Sequence, residues 1–393
     1  MLRFVFCRGV LALILGLGTL AWGAWQRHEP LHSSQAPLAP AEWPALDAGH
    51  GSWTLEARGS IPMPVDTLAA HASHLLAMPA GSPAALTAFW FAGDRESAPN
   101  VQIAASQWSR ARQQWTPARF VINRHVTGLE LGHGLRRLGN PVAWLDVDGR
   151  MHLFVVATGW GGWAASRILQ LRQSSVTNDL QDLRFEPVRV LPLSWLWNIS
   201  YLVRNPPLTL ADGGMVLPVH FELGTKYASA LHFDAQGAFV GMVRISRNHD
   251  RLQPTLVMQS PVDWWAFMRV QREQGKIAVS RTRDAGHTWI DQPDLPLDNP
   301  DAAVAGLGLA PDRMVLAYNP SAQGRTALNL GESGNGQNWS VVVTLDKGIE
   351  PAEFSYPALA WSSGKLWVTY TVDRTHIQWQ RFAPSATTTR VVP

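Results

Sequence analysis

The sequence predicts an all-β chain, a six-bladed β-propeller preceded by an N-terminal signal or anchor helix. Three observations predict it. A strand-turn-strand phrase returns six times, few segments carry a 3.6-residue apolar stripe, and the octapeptide "TRDAGHTW" (282–289) has the make-up of a tight β-hairpin turn.

The N-terminal element comes first. Arg3 and Arg8 precede seventeen uncharged, mostly apolar residues, Gly9 to Trp25, closed by Gln26 and Arg27. Such a run, with its positive end retained in the cytoplasm, predicts export across a bacterial inner membrane. Its length is at the lower limit for a bilayer span, so residues 1–26 read as a signal peptide or as an uncleaved signal anchor. The product is then periplasmic, anchored in the inner membrane or secreted. The single cysteine, Cys7, lies before the apolar run, so no intrachain disulfide is available and the exported part depends on its core. Residues 27–50, rich in Pro, Ala and Ser, read as a linker, and the propeller is expected over 51–393.

The repeats follow. They are "HASHLLAMPAGSPAALTAFWF" from His71, "GNPVAWLDVDGRMHLFVV" from Gly139, "RNPPLTLADGGMVLPVHF" from Arg204 and "LQPTLVMQSPVDWWAFMR" from Leu252. The last two are "NPDAAVAGLGLAPDRMVLAY" from Asn299 and "SYPALAWSSGKLWVTYT" from Ser355. Their starts are about 57 residues apart on average, the size of a four-stranded blade with its loops. A lone blade has two apolar faces and open edges. Stacking blades in a closed ring buries both faces.

Composition narrows the partners. A formal charge of +3 with no long Lys/Arg run gives no track for a phosphate backbone, which argues against nucleic acid. Only 4 of the 33 basic residues are Lys, and guanidinium groups suit bidentate recognition of carboxylates, although a GC-rich genome produces the same bias. Nineteen Trp against five Tyr supply either large core fillers or flat platforms for sugar rings. The Gly-rich "ATGWGGWA" (157–164) carries two of them, with both uses open. The sequence has no HExxH, no paired Cys, no GxxxxGK[ST] and no GxSxG, so neither a metal nor a cofactor is expected.

In the octapeptide, Asp284 and the hydroxyls of Thr282 and Thr288 can bond the backbone of a turn, Gly286 can take positive φ, and Trp289 can fill the gap between strands. This pattern resembles the Asp box of the sialidase superfamily, where it closes the hairpin between the third and fourth strands of a blade. "ESGNGQNW" (332–339) reads as a degraded copy, with Gly334 where the acid falls by spacing. The resemblance extends over roughly residues 60–385, to the predicted-neuraminidase branch of BNR-repeat proteins. It rests on "FAGDRES" (91–97), "LGNP" (138–141), "RNPPL" (204–208), "FE" (221–222), "QP" (253–254), "YNPSAQGR" (318–325) and "SYPA" (355–358).

That resemblance implies a site over the central channel in which three Arg hold a substrate carboxylate, a Tyr assisted by a Glu is nucleophile, and an Asp is acid/base. Tyr356 stands where the nucleophile is expected, and Arg269 and Arg325 stand for two of the clamp residues. His71 replaces the first Arg, Gln253 the assisting Glu, and Asn100 lies near the place of the Asp, with Asp94 or Glu96 as displaced substitutes. Gln cannot accept a phenolic proton, so Glu222, near the axis with Arg204, is a further acid/base candidate if burial raises its pKa. Arg204, Arg95 of "FAGDRES" and Asn319 of "YNPSAQGR" complete the substrate-binding candidates.

The bland alternatives are ion pairs between blades for the Arg residues and Glu222, and core packing for Tyr356 and His71. The functional expectation is a sialidase-like exo-glycosidase acting on sialic acid or a related acidic sugar at the end of a glycan. The alternatives are a noncatalytic glycan-binding or envelope-polysaccharide-assembly propeller, or a lyase acting on acidic polysaccharide.

Overall fold

The computed structural model describes residues 9–19, 43 and 52–384, apart from 97, 133, 178 and 195–197. Residues 9–19 form helix α1; the rest of the predicted signal segment lies outside the described residues. Among the described residues no helix is long and apolar enough to cross a membrane. Of the predicted linker only Trp43 is described, and its indole packs against the apolar cluster of the fourth blade.

Six antiparallel sheets follow in chain order. The first holds β2 (Ala69–Ala77), β3 (Ala84–Gly93), β4 (Gln102–Ser109) and β5 (Gln114–Trp115), with β6 (Arg119–Ile122) also on β4. Helix α2 (Arg124–Glu130) leads to the second: β7 (Arg137–Leu145), β8 (Met151–Thr158), β9 (Ser166–Gln173) and β10 (Phe185–Val190). The third has β11 (Tyr201–Val203) and β12 (Leu208–Thr209), both on β13 (Met215–Phe221), then β14 (Tyr227–Phe233) and β15 (Phe239–Arg244). The fourth is β16 (Arg251–Met258), β17 (Trp264–Val270), β18 (Ala278–Thr282) and β19 (Ile290–Gln292). The fifth is β20 (Ala305–Ala310), β21 (Arg313–Tyr318), β22 (Ala327–Ser333) and β23 (Ser340–Lys347). The sixth contains β24 (Phe354–Ser362), β25 (Lys365–Val372), β26 (His376–Pro384) and, at its outer edge, β1 (Trp53–Ser60).

The pairing of β1 with β26 joins the two ends of the described propeller and closes the ring without a covalent link. Strand sequence follows position in the ring. β3 and β21 are buried throughout, as near-continuous apolar runs require, whereas the outer β1 is mostly exposed and β15 alternates. Many of the Trp residues are core fillers: Trp108, Trp367 and Trp379 meet edge to face or tilted between the first and sixth blades.

The octapeptide closes the hairpin from β18 to β19. The Thr282 hydroxyl donates to Asp284 Oδ1 at 2.7 Å, Thr288 N donates to the same oxygen at 2.8 Å, and Trp289 Nε1 donates to Gly286 O at 3.1 Å. Gly286 takes φ +87°, and a Cβ there would strike Trp264. In the second copy the loop is one residue shorter than spacing suggests. Ser333 and Asn335 take the Thr and Asp roles, and Asn335 Oδ1 accepts from Gln337 N and Asn338 N at 3.0 and 2.9 Å. The equivalent of the acid is therefore Asn335 and not Gly334.

Strand direction divides the molecule into two faces. Turns between first and second strands, and between third and fourth, lie on one face, which carries the octapeptide. Second-to-third connections and the links between blades lie on the other.

Candidate active site

The first strands of four blades share a local irregularity at the end nearest this second face. Their pairing slips between His71 and His74, between Gly139 and Val142, between Leu252 and Thr255, and between Ser355 and Ala358. One residue in each slip has positive φ: Ala72, Asn140, Gln253 and Tyr356; Asp301, just ahead of β20, does the same. Such a bulge turns a side chain that would alternate within the strand toward the axis. A non-Gly residue in this region is strained by roughly 1 kcal/mol or more and persists when its surroundings hold it.

Those surroundings are buried side-chain donors. Arg204 Nη2 donates to the carbonyls of Tyr356 and Pro357, both at 2.8 Å, and its Nη1 to Ser73 O at 3.1 Å. Asn205 Nδ2 donates to the carbonyls of Gln253 and Pro254, both at 3.0 Å. Asn319 Nδ2 bonds Ala327 O and Phe354 O at 2.7 and 2.8 Å. Arg204 and Asn319, expected to bind substrate, instead form a buried floor, with Arg204 Nη1 and Nη2 and Asn319 Nδ2 committed to backbone carbonyls. A recurrent polar residue near the axis fits both roles in the sequence, and only the direction of its side chain separates them.

Above this floor Tyr356 stands half-buried. The His71 ring lies 4.3 Å from the Tyr356 ring between centroids, and the Arg325 guanidinium carbon lies 6.0 Å from the ring's centre. Arg269 interacts electrostatically with the Tyr356 side chain, forms an ion pair through Nε with Asp301, and donates from Nη1 to Gln253 Oε1 at 3.4 Å. Arg325 donates to Glu353 at 3.1 Å and to the Asp301 carbonyl at 2.9 Å. Tyr356, Arg269, Arg325, Gln253 and His71 are thus brought together.

Charge states follow from these contacts. Burial opposes the charge on Arg269, but Asp301 and Tyr356 outweigh it and hold the guanidinium above its ordinary range. His71 is pushed down to about 3, first by burial and then by Arg374, so it is neutral at physiological pH. Burial would raise Glu353, but bonds to Arg374 and the field of Arg325 bring it to about 2. Glu222 departs from expectation. Burial pushes it up, yet its 3.0 Å contact with His220 and the nearby Arg269 and Lys226 leave it below the ordinary carboxylate range. It is an ionised carboxylate, unsuited to hold a proton for a leaving group.

Arg95 is exposed in the connection from β3 to β4, where Ala98 N bonds its carbonyl at 3.0 Å. In the same connection Asn100 Oδ1 accepts from Asp94 N at 3.3 Å, so Asn100 shapes the loop while Asp94 is exposed.

Sequence reasoning missed three charged residues. Asp301 sits in the "NPDAAV" repeat at the phase of Tyr356, and that phase was its available signal. Glu353 lies three residues before Tyr356. Arg374, in the connection from β25 to β26, bonds Glu353 Oε2 at 2.9 Å and forms an ion pair with Glu96, tying the first blade's loop to the sixth. Among the described residues no cluster of His, Cys, Asp and Glu suits a metal ion.

A closed ring of six antiparallel blades of four or five strands, with an axial Tyr flanked by Arg, defines a sialidase-type propeller. Residues 84–368 match the family model described as BNR repeat-like domain, and the chain belongs to that family. A Hadza microbial sialidase superposes with TM-score 0.66 at 17% identity, covering 80% of this chain and 66% of that one. The Trypanosoma rangeli sialidase in complex with 2,3-difluorosialic acid, a covalent intermediate, gives 0.64 at 12%, covering 83% and 59%. A protein of unknown function from Dyadobacter fermentans gives 0.64 at 12%, covering 84% and 99%. At these identities the likeness is one of fold, and the chain spans just under two thirds of the first sialidase and less of the second. A comparison with curated proteins finds no match.

Proposed function

We propose that the protein is an exported, sialidase-like exo-glycosidase that takes a terminal acidic sugar, sialic acid or a relative, into the axial pocket. The observation that carries this reading is the convergence of Arg269 and Arg325 on Tyr356. Two guanidinium groups offer charge-assisted donors to the sugar carboxylate, and orient the anomeric carbon over the phenol. A neutral phenol approaches an anionic sugar without the repulsion that a carboxylate nucleophile would meet.

The base cannot be Gln253, and we assign that role to Asp301, which shares Arg269 with the phenol. Tyr356 Oη attacks the anomeric carbon as its proton passes to Asp301. The aglycone oxygen departs toward the exposed rim, where Asp94 or solvent protonates it. Water then cleaves the glycosyl-tyrosine bond: its hydroxyl joins the anomeric carbon, its proton goes to Asp94 or solvent to replace the one given to the aglycone, and Asp301 returns its proton to the phenol oxygen. Neutral His71 supports the ring from the other side without adding a third positive charge.

One observation favours a second reading, binding without turnover. Asp301 and Glu353 already neutralise Arg269 and Arg325, and Gln253 removes the family's usual base. The deciding experiment offers the purified chain a panel of acidic glycans and aryl sialosides, with products identified by mass. Product release that Tyr356→Phe abolishes supports the enzyme; binding without product in every case supports the second reading.

A further inference from the structure

The loop from β8 to β9 is on the pocket face but takes no part in the site above. Its backbone is built for a fixed shape, with Gly161 at φ +98° and Gly162 at +63° leading into a single 3-10 turn, Gly162–Ala165. Its two indoles have different fates. Trp163 packs into the apolar cluster between the second and third blades and lies so close to Gly139 that a Cβ there would meet it at 2.7 Å. Trp160 is 84% exposed. The loop therefore does not need Trp160 to fill space.

Trp160 is nevertheless held. The guanidinium carbon of Arg136 stacks 4.1 Å from its ring centroid, which fixes the indole and leaves its other face free. Beside it is a cavity of about 330 Å³ lined by Gly134, Thr158, Gly159, Trp160 and Arg167. That volume falls at the small end of the roughly 300–1,000 Å³ range of small-molecule sites. Thr158 is wholly buried, and its hydroxyl has no hydrogen-bond partner. That hydroxyl is closed off from the cavity, so the groups offered to a ligand are the Trp160 indole and the guanidinium groups of Arg136 and Arg167.

We infer that this cavity and the Trp160 indole form a second sugar subsite, which takes an inner residue of an acidic oligosaccharide whose terminal residue occupies the axial pocket. The apolar face of a pyranose stacks on the indole, and a carboxylate pairs with Arg136 or Arg167. Both sites lie on the same face of the ring, and the loop that carries Trp160 is tied to the axial site through packed side chains: Trp163 and Phe91 flank Gly139, and Phe91 lies 5.5 Å from the His71 ring that contacts Tyr356. This inference rests on the reading of the axial pocket as an acidic-sugar site, and it makes the preferred ligand a chain rather than a monosaccharide.

The test titrates the full chain with N-acetylneuraminic acid and with its α2,8-linked tetramer, by calorimetry. We expect the tetramer to bind about tenfold more tightly, Trp160→Ala to erase that gain, and Trp160→Phe to restore part of it, the size of one aromatic contact. Monosaccharide affinity stays unchanged in both variants. Retention of the gain in Trp160→Ala, or a wild-type tetramer that binds no better than the monosaccharide, overturns the inference. So does Trp160-dependent sedimentation with phosphatidylglycerol vesicles in place of a glycan gain, because the indole would then be an interfacial anchor. Arg269→Gln separates the two proposals. If Trp160-dependent tetramer binding persists where neither wild type nor Arg269→Gln distinguishes the monosaccharide, the pocket reading fails and the subsite stands.

Discussion

The guanidinium of Arg204 donates to the main-chain carbonyl of Tyr356 at 2.8 Å, from the third blade to the sixth, on opposite sides of the ring. A charge buried to 2% exposure thus braces the backbone conformation that presents the phenol. Replacing it with Met leaves three carbonyls without this donor. We expect Arg204→Met to lower unfolding free energy by about 3 kcal/mol, measured by urea denaturation. Ligand affinity should fall with it, although Arg204 does not face the pocket.

Tyr356→Phe removes the nucleophilic oxygen and keeps the ring against His71. Turnover of an aryl sialoside should fall by about 10³-fold or more, with binding of the free sugar changed by no more than about threefold. Equal losses in binding and turnover would mark the hydroxyl as a recognition group alone.

Asp301→Asn tests the base. It removes proton acceptance and also releases Arg269 from its internal carboxylate. Turnover should drop by about 10²-fold or more while the acidic sugar binds as tightly as before or better. A variant with wild-type turnover would return the role to another group.

Acid should destabilise the fold well above the range where carboxylates titrate. His71 and His74 are held to about 3 and His232 to about 4, chiefly by burial. Each is neutral when folded but takes up a proton near pH 6.5 when unfolded. The stability these sites contribute is complete above that pH and declines as pH falls, levelling only near pH 3–4. At pH 5 each costs about 2 kcal/mol relative to neutral pH. Glu353, at about 2, adds a further loss between pH 4.5 and 2. Thermal melts from pH 8 to 4 should show a steady fall from about pH 6.5, shallower in His232→Asn.

Asp284 binds only its own hairpin, on the face away from the pocket. Asp284→Ala should cost about 1–2 kcal/mol of stability and leave kcat and KM unchanged. A selective change in KM would contradict the division into two faces.

The sequence by itself determined the ring. Period-two strands, Gly and Asp turns and the octapeptide act over a few residues, so six blades and the phase of each could be read without knowing what packs where. It also brought Tyr356, Arg269, Arg325, Gln253 and His71 to one place, because ring closure superimposes equal phases. Only the tertiary structure decided what each side chain does there. Arg204, Asn319 and Arg269 have the same sequence credentials, yet the first two point down to backbone carbonyls and the third points up to a phenol, since bulge geometry and blade rotation set direction. Asp301, Glu353 and Arg374 acquire meaning only through partners from other blades. The charge on Glu222 was likewise decided by His220, Arg269 and Lys226 gathering around it, a balance of burial against neighbouring charge that spacing along a chain does not encode.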